Sequence, residues 1–102
     1  MDKIAPEVIH LVARLKAKPE QRSALFDALK AMVPDVRKED GCLLYDLTVD
    51  RDDPNSAVML ESWRDGSALE AHAQAAPFKS LAARFEVLLA EPLQLQRLQK
   101  LL

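Results

Sequence analysis

Hydrophobic and polar residues alternate from Glu7 to Ala17, and this pattern predicts a first β-strand. One face of the strand is uniformly apolar and carries Ile9, Leu11, Ala13 and Leu15. The other face is mixed and carries Val8, His10, Val12, Arg14 and Lys16.

A helical pattern follows, because apolar residues recur every three or four positions up to about Lys38. These residues are Leu25, Leu29, Met32, Val33 and Val36. Lys18-Pro19-Glu20-Gln21 suits a helix start, with proline near the first helical position and an acid in the first turn. We expect Pro34 to kink or weaken the helix, and Asp40-Gly41 to end it.

Two further strands are predicted after the helix. The first runs from Cys42 to Asp50, with Leu43, Tyr45, Leu47 and Val49 on one face. Residues 51–56 read as a polar turn, and Ala57 to Trp63 as the next strand. Since a short turn joins them, the two strands should pair as an antiparallel hairpin.

The last third of the chain predicts a broken helical region and a final strand. Ser67-Ala68-Leu69-Glu70 fits a capping box, and the helix it opens carries Leu69, His72, Ala73 and Ala76 on one side. Pro77 should interrupt this helix and open a second one, whose apolar stripe is Phe78, Leu81, Phe85, Leu88 and Leu89. A weaker alternation from Leu93 to Leu101 puts Leu93, Leu95 and Arg97 on one face of a last strand.

The order β-α-β-β-α-β predicts an α+β fold of ferredoxin-like type, with one domain spanning residues 1–102. Its simplest packing is a four-stranded antiparallel sheet with both helical regions on one face. The other face, to which we assign Val8, Val12 and Leu95, then needs a cover. A second copy of the chain is the most economical cover, so we expect a homodimer.

Composition narrows the function classes. Hydrophobic residues make up 49% of the chain and charged residues 29%, which is typical of a folded globular domain. The net charge is −2 with no basic stripe, so nucleic-acid binding is disfavoured. No apolar stretch has membrane-spanning length and residues 1–6 lack a signal-peptide core, so a cytoplasmic location is expected. Cys42, the single cysteine, excludes an intrachain disulfide and is expected to be a small buried apolar residue.

Common cofactor motifs are absent from the sequence. The two histidines and one cysteine have no metal-ligand spacing, so no metal site is expected. The two glycines, Gly41 and Gly66, form neither a dinucleotide-binding fingerprint nor a phosphate-binding loop. No nucleophile elbow is present.

Three polar residues are candidates for chemistry. Glu61 and Trp63 share one face of the third strand, because side chains two residues apart point the same way. His72 lies on the apolar side of its helix and should face the sheet. A carboxylate, an indole N–H and an imidazole in one crevice are able to bind and deprotonate a phenolic hydroxyl.

Each candidate also has a purely structural interpretation, and the residues alone leave it open. His72 would then be a satisfied histidine at the edge of the core, and Trp63 a packing anchor. Glu61 would be neutralised by Arg14 or Arg97, and Tyr45 would fill space beneath a helix.

The sequence resembles the antibiotic biosynthesis monooxygenase domain family over essentially its whole length, and especially the quinol monooxygenase-like branch. The resemblance lies in the opening strand and in five segments: 16–20 (KAKPE), 39–45 (EDGCLLY), 58–65 (VMLESWRD), 68–72 (ALEAH) and 77–78 (PF). It implies a dimeric α+β barrel that oxidises quinols or polycyclic phenols with O2 and without metal or flavin. It also implies that His72 handles protons, that Glu61 positions His72 or a hydroxyl, and that Trp63, Tyr45 and Phe78 contact the substrate.

Other members of this mixed family imply alternatives. One is an isomerase of a small phosphorylated keto compound, which would want cations such as Arg14, Arg64 or Lys79 at the pocket mouth. A haem degrader needs a pocket asparagine, and the single asparagine, Asn55, falls in a predicted turn. A dimeric module that binds aromatics without reacting with them remains open.

Overall fold

The computed structural model describes residues 7–102, so the expectation about residues 1–6 lies outside the described residues. Strands β1 to β4 are Ile9–Lys16, Cys42–Asp50, Asp53–Trp63 and Gln94–Leu98. Helices α1 to α4 are Arg22–Arg37, Gly66–Gln74, Ala76–Ala82 and Phe85–Leu88, and a 3₁₀ turn at Pro19–Gln21 precedes α1. The predicted βαββαβ order is confirmed, with the second helical region divided into three short helices.

The four strands form one antiparallel sheet in the order β2-β3-β1-β4. In this register Leu11 stands opposite Glu61, and Ala13 stands opposite both Met59 and Leu95. Because paired residues point to the same side of a sheet, the apolar face of β1 continues across β3 and β4. Helix α1 and the second helical region pack on this face, and the buried core lies between them.

The predicted polar turn at 51–56 is too long. Asp50 pairs with Asp53, so only Arg51 and Asp52 connect the strands. The Asp53 carboxylate accepts hydrogen bonds from the Asn55 N–H at 3.2 Å and the Ser56 hydroxyl at 2.7 Å. These local bonds let a run of polar residues continue as a strand, which composition alone assigned to a loop.

The predicted face of β2 is wrong at one residue. A register shift lies between Cys42 and Leu44, so Cys42 rather than Leu43 stands opposite Trp63. Leu43 is the extra residue of a β-bulge and is 57% exposed. From Tyr45 onward the predicted alternation holds, because Tyr45 pairs with Glu61 and points into the core.

The predicted capping box is also wrong. Asp65, not Ser67, is the N-cap of α2, and its carboxylate accepts a hydrogen bond from the Ala68 N–H at 2.9 Å. Aspartate caps a helix as well as serine does, and here it precedes the helix by one residue. Pro77 opens α3 as predicted, whereas α1 continues through Pro34 as far as Arg37.

The sheet face away from the helices is partly apolar and uncovered within the described chain. We call it the outer face, and its exposed apolar residues are Val8, Leu44, Leu60 and Leu98. Leu95 does not belong to it: Leu95 pairs with Ala13 and faces the helices, so that assignment is wrong. Within residues 7–102, no helix has the length and apolar character needed to span a membrane.

Candidate active site

A cavity lies between the inner sheet face and the second helical region. Its volume is about 70 Å³. Its walls are almost entirely apolar and come from all four strands and from helices α1, α2 and α3. Tyr45, Glu61 and His72 are the polar exceptions among the lining residues.

His72 is carried into the cavity wall by α2. It lies one turn after Ala68, and both residues are buried on the helix face that meets the sheet. Trp63 stacks against its imidazole with ring centroids 4.6 Å apart and planes 28° apart. Tyr45 and Phe78 contact the same ring from other sides, at centroid distances of 5.5 and 5.6 Å. The imidazole is therefore held by an aromatic cage.

The carboxylate bonded to His72 is Glu39, which sequence reasoning missed. His72 Nδ1 lies 2.9 Å from Glu39 Oε1 and donates to it. The resemblance implied that Glu61 positions His72 or a hydroxyl, but in the structure the imidazole donates its hydrogen bond to Glu39. The only sequence signal was its place beside Asp40-Gly41, which indicates a turn and says nothing about a partner 33 residues away.

Glu61 is bonded to Trp63 instead. The indole Nε1–H donates to Glu61 Oε1 at 2.9 Å, deep in the core. Burial raises the pKa of the Glu61 carboxyl above its ordinary value, while the hydrogen bond from Trp63 and the charge of His72 oppose that rise. Neutralisation by Arg14 or Arg97 does not occur: Arg14 pairs with Asp50 at 3.4 Å, and within residues 7–102 Glu61 forms no ion pair with Arg97.

Of the three expected substrate contacts, the structure places two on the cavity wall. Tyr45 and Phe78 line the cavity, and burial raises the pKa of the Tyr45 phenol, so it is neutral. Trp63 is completely buried and is not a lining residue, because it lies behind His72. It supports the imidazole and Glu61 rather than the surface that a ligand would touch.

Three polar atoms remain available to a ligand. His72 Nε2, Glu61 Oε2 and the Tyr45 hydroxyl have no hydrogen-bond partner among the described residues, yet none of them is fully enclosed. They belong to three elements, α2, β3 and β2, that meet at the cavity. An apolar chamber with a few convergent polar atoms is the usual form of a small-molecule site.

The remaining residues that the sequence analysis considered for chemistry do not line the cavity. Neither a lysine nor an arginine lines the cavity, and Asn55 is near the start of β3 outside it. Over residues 7–102 no group of three or more His, Cys, Asp or Glu is placed to hold a metal ion. Cys42 is half-buried against the core, and burial raises the pKa of its thiol, which disfavours a reactive thiolate.

The fold and the site define a ferredoxin-like α+β domain with a deep apolar cavity that carries one histidine. The sequence profile of the family described as "Antibiotic biosynthesis monooxygenase" matches residues 8–84, and the chain belongs to this family.

Individual relatives agree with this assignment. The Bacillus subtilis protein named "Putative monooxygenase YcnE" is 36% identical, over 88% of this chain and 95% of its own length. The Escherichia coli protein named "Probable quinol monooxygenase YgiN" is 34% identical, over 72% and 80%. The crystal structure of PA3566 from Pseudomonas aeruginosa has a TM-score of 0.89 at 35% identity and covers 98% of this chain and 100% of its own. Rv0793 from Mycobacterium tuberculosis has a TM-score of 0.87 at 33% identity, over 93% and 96%.

Proposed function

We propose that this chain is a cofactor-independent monooxygenase that oxidises a quinol or polycyclic phenol with O2. The observation that carries the proposal is the position of His72 on the wall of an apolar cavity, with Nε2 free to take a phenolic proton. The monooxygenase family and the quinol named for the Escherichia coli relative support the same class of substrate.

The chemistry draws its electrons from the substrate. His72 Nε2 removes a proton from a phenolic hydroxyl, and the electron-rich phenolate passes one electron to O2. The resulting superoxide and phenoxyl radical combine at a ring carbon, forming a C–O bond and a peroxide anion, to which the imidazolium of His72 returns the proton to give a hydroperoxide. Loss of water from the hydroperoxide, with loss of the proton on that carbon, leaves a quinone oxygen, so one oxygen atom enters the product and the other becomes water.

The protein contributes exclusion of water, orientation and proton handling. Leu11, Met59 and Leu81 are among the apolar side chains that would surround the ring. Tyr45 and Glu61 would bond a second hydroxyl of the substrate, since each has a polar atom open to the cavity. Phe78 would cover the ring beside His72.

We further propose that the working form is a homodimer paired through the outer face. Leu44, Leu60 and Leu98 are each 38–45% exposed, while the opposite side of the sheet is covered by the helices. Exposed apolar surface of this kind usually marks an interface, and a second copy presents a matching surface by symmetry.

Two alternatives to the monooxygenase are an isomerase of a phosphorylated keto compound and a module that only binds aromatics, and the cavity wall fits the second better. A phosphorylated keto substrate needs cations, but the cavity wall carries neither lysine nor arginine, and Arg64 is paired with Asp40 at 3.0 Å. The binding module has no such objection, because an apolar cavity binds aromatics with or without turnover. Activity therefore has to be separated from binding.

The test is oxygen uptake by purified, chelator-treated protein with a panel of reduced naphthoquinols and anthrones, corrected for autoxidation. We expect uptake by the wild type and a large loss in His72→Ala, while Glu70→Ala, an exposed change on the same helix, keeps the activity. Tight binding of these aromatics with no uptake would instead identify a binding module. Conversion of a phosphorylated keto compound without oxygen would identify an isomerase.

A further inference from the structure

Glu39 approaches His72 from a part of the chain that the cavity does not include. It follows the C-terminus of α1, where its N–H donates to the Val36 carbonyl at 2.9 Å and its carbonyl accepts from the Cys42 N–H at 3.1 Å. Its side chain is 17% exposed, and it lines, together with His72, a surface cleft separate from the cavity. Hydrogen bonds to both the N–H and the carbonyl of Glu39 thus fix its backbone within the turn.

Glu39 is brought near His72 by the close approach of the Gly41 backbone to helix α2. Gly41 has φ +83°, and a Cβ added there would lie 2.5 Å from the Ala68 Cβ. This contact brings the turn against α2 one turn before His72. Arg64 strengthens the junction, because its guanidinium donates to both carboxylate oxygens of Asp40 at 3.2 and 3.0 Å.

The hydrogen bond determines which ring nitrogen carries the proton. An ionised carboxylate only accepts hydrogen bonds, so the neutral His72 must hold its proton on Nδ1. The lone pair is then on Nε2, which has no partner among the described residues. Without Glu39 nothing bonded to the ring in the described chain would favour this tautomer, since Glu61 is engaged by Trp63.

We propose that Glu39 is a positioning residue that keeps neutral His72 in the Nδ1–H tautomer and stabilises the imidazolium formed when Nε2 takes the substrate proton. The role rests on the proposed function, because it acts through His72 as base. The imidazolium would hold the proton while the phenolate reacts with O2, and return it to the peroxide oxygen that leaves as water. No net proton has to leave the cavity.

A purely structural ion pair is the competing explanation, and one atom argues against it. Glu39 Oε2 is fully buried and accepts no hydrogen bond among the described residues. A carboxylate retained only for stability would be expected to have both oxygens satisfied, because an unsatisfied buried oxygen is costly. The negative charge of the carboxylate is shared by both oxygens, so the second oxygen contributes to stabilising the transient imidazolium.

The experiment compares Glu39→Gln, Glu39→Leu and the control Glu70→Gln, which removes an exposed carboxylate on the same helix as His72. Nitrogen-15 NMR at alkaline pH reports the tautomer of the neutral imidazole. The chain has only two histidines, so His10→Gln assigns the signals. We expect the Nδ1–H form in the wild type and in Glu70→Gln, and the Nε2–H form in Glu39→Leu.

Steady-state kinetics provide the second readout. We expect kcat to fall by at least about tenfold in Glu39→Leu, within the range typical of acid–base groups, with KM nearly unchanged. Glu39→Gln should be intermediate, since its amide oxygen is a neutral acceptor. The Glu39 proposal is overturned if Glu39→Leu keeps both the Nδ1–H tautomer and the wild-type kcat.

The two proposals fail in different ways. If the wild type oxidises none of the phenols, the monooxygenase proposal fails, yet the NMR comparison still decides whether Glu39 sets the tautomer. If the wild type is active but its resting imidazole is in the Nε2–H form, the Glu39 proposal alone fails. Glu39→Gln preserves side-chain volume, so the comparison survives if Glu39→Leu does not fold.

Discussion

Trp63 forms a hydrogen bond to Glu61 through the edge of its indole and stacks on His72 through its face. The indole N–H donates to Glu61 Oε1 at 2.9 Å, while the ring stacks on the imidazole at a centroid distance of 4.6 Å. Because Trp63 is completely buried, two of the three polar residues of the cavity wall, Glu61 and His72, are fixed to one rigid group in the core. Stability and the geometry of the site are therefore coupled at this residue.

Trp63→Phe should separate the two parts of this coupling. Phenylalanine keeps an aromatic face for His72 but leaves Glu61 without its donor, which should lower the free energy of unfolding by about 1–3 kcal/mol. Urea denaturation of the wild type, Trp63→Phe, Glu61→Leu and the double variant would measure the interaction directly as a double-mutant cycle, since neither leucine nor phenylalanine can form the hydrogen bond. Additive effects of the two changes would contradict a stabilising hydrogen bond.

Glu61→Gln should change how stability depends on pH. Burial raises the pKa of Glu61 above its ordinary value of 4.5, so between 4.5 and the folded-state pKa the unfolded chain gives up its proton first. The folded wild type is therefore penalised increasingly as pH rises through this window, and glutamine removes the penalty while still accepting from Trp63.

The measurement is the difference in unfolding free energy between Glu61→Gln and the wild type. It should be smallest below pH 4.5, grow in favour of the variant as pH rises, and level off above the folded-state pKa. His72, Glu39 and Tyr45, the titratable groups nearest Glu61, are present in both proteins, so their own contributions largely cancel. A difference that shrinks with rising pH would mean that the folded state lowers this pKa.

Periodicity predicted the parts of the site that lie on regular elements. Tyr45, Glu61 and His72 converge because strand alternation and helical spacing aim them at one face, and both repeats are legible in sequence. Leu43 and Ser67 were misassigned because a bulge and a shifted cap change the frame by one or two residues without altering composition. The contact of Glu39 with His72 could not be predicted from the sequence, since it depends on how closely Gly41 approaches α2.

The proposed dimer predicts the behaviour of Leu60→Lys. Leu60 lies in the centre of the outer face, opposite Val12 and Asp46, and is 38% exposed. A charge there would be buried without a partner on dimerisation, so the variant should sediment as a monomer at concentrations where the wild type is dimeric. Val87→Lys is the matched control, because Val87 is an exposed apolar residue on α4. A monomeric wild type, or equal association of both variants, would refute pairing through this face.

Gly41→Ala should loosen the junction that places Glu39 beside His72. Alanine at φ +83° is strained by about 1–2 kcal/mol, and its Cβ would also meet the Ala68 Cβ at 2.5 Å, so the loss of stability should exceed the strain alone. Adding Ala68→Gly removes the steric contact but not the backbone strain. The double variant should therefore regain part of the unfolding free energy in urea denaturation, and a larger share of the wild-type kcat than Gly41→Ala has. If Gly41→Ala unfolds at the wild-type urea concentration, the close approach of the turn to α2 does not hold this junction together.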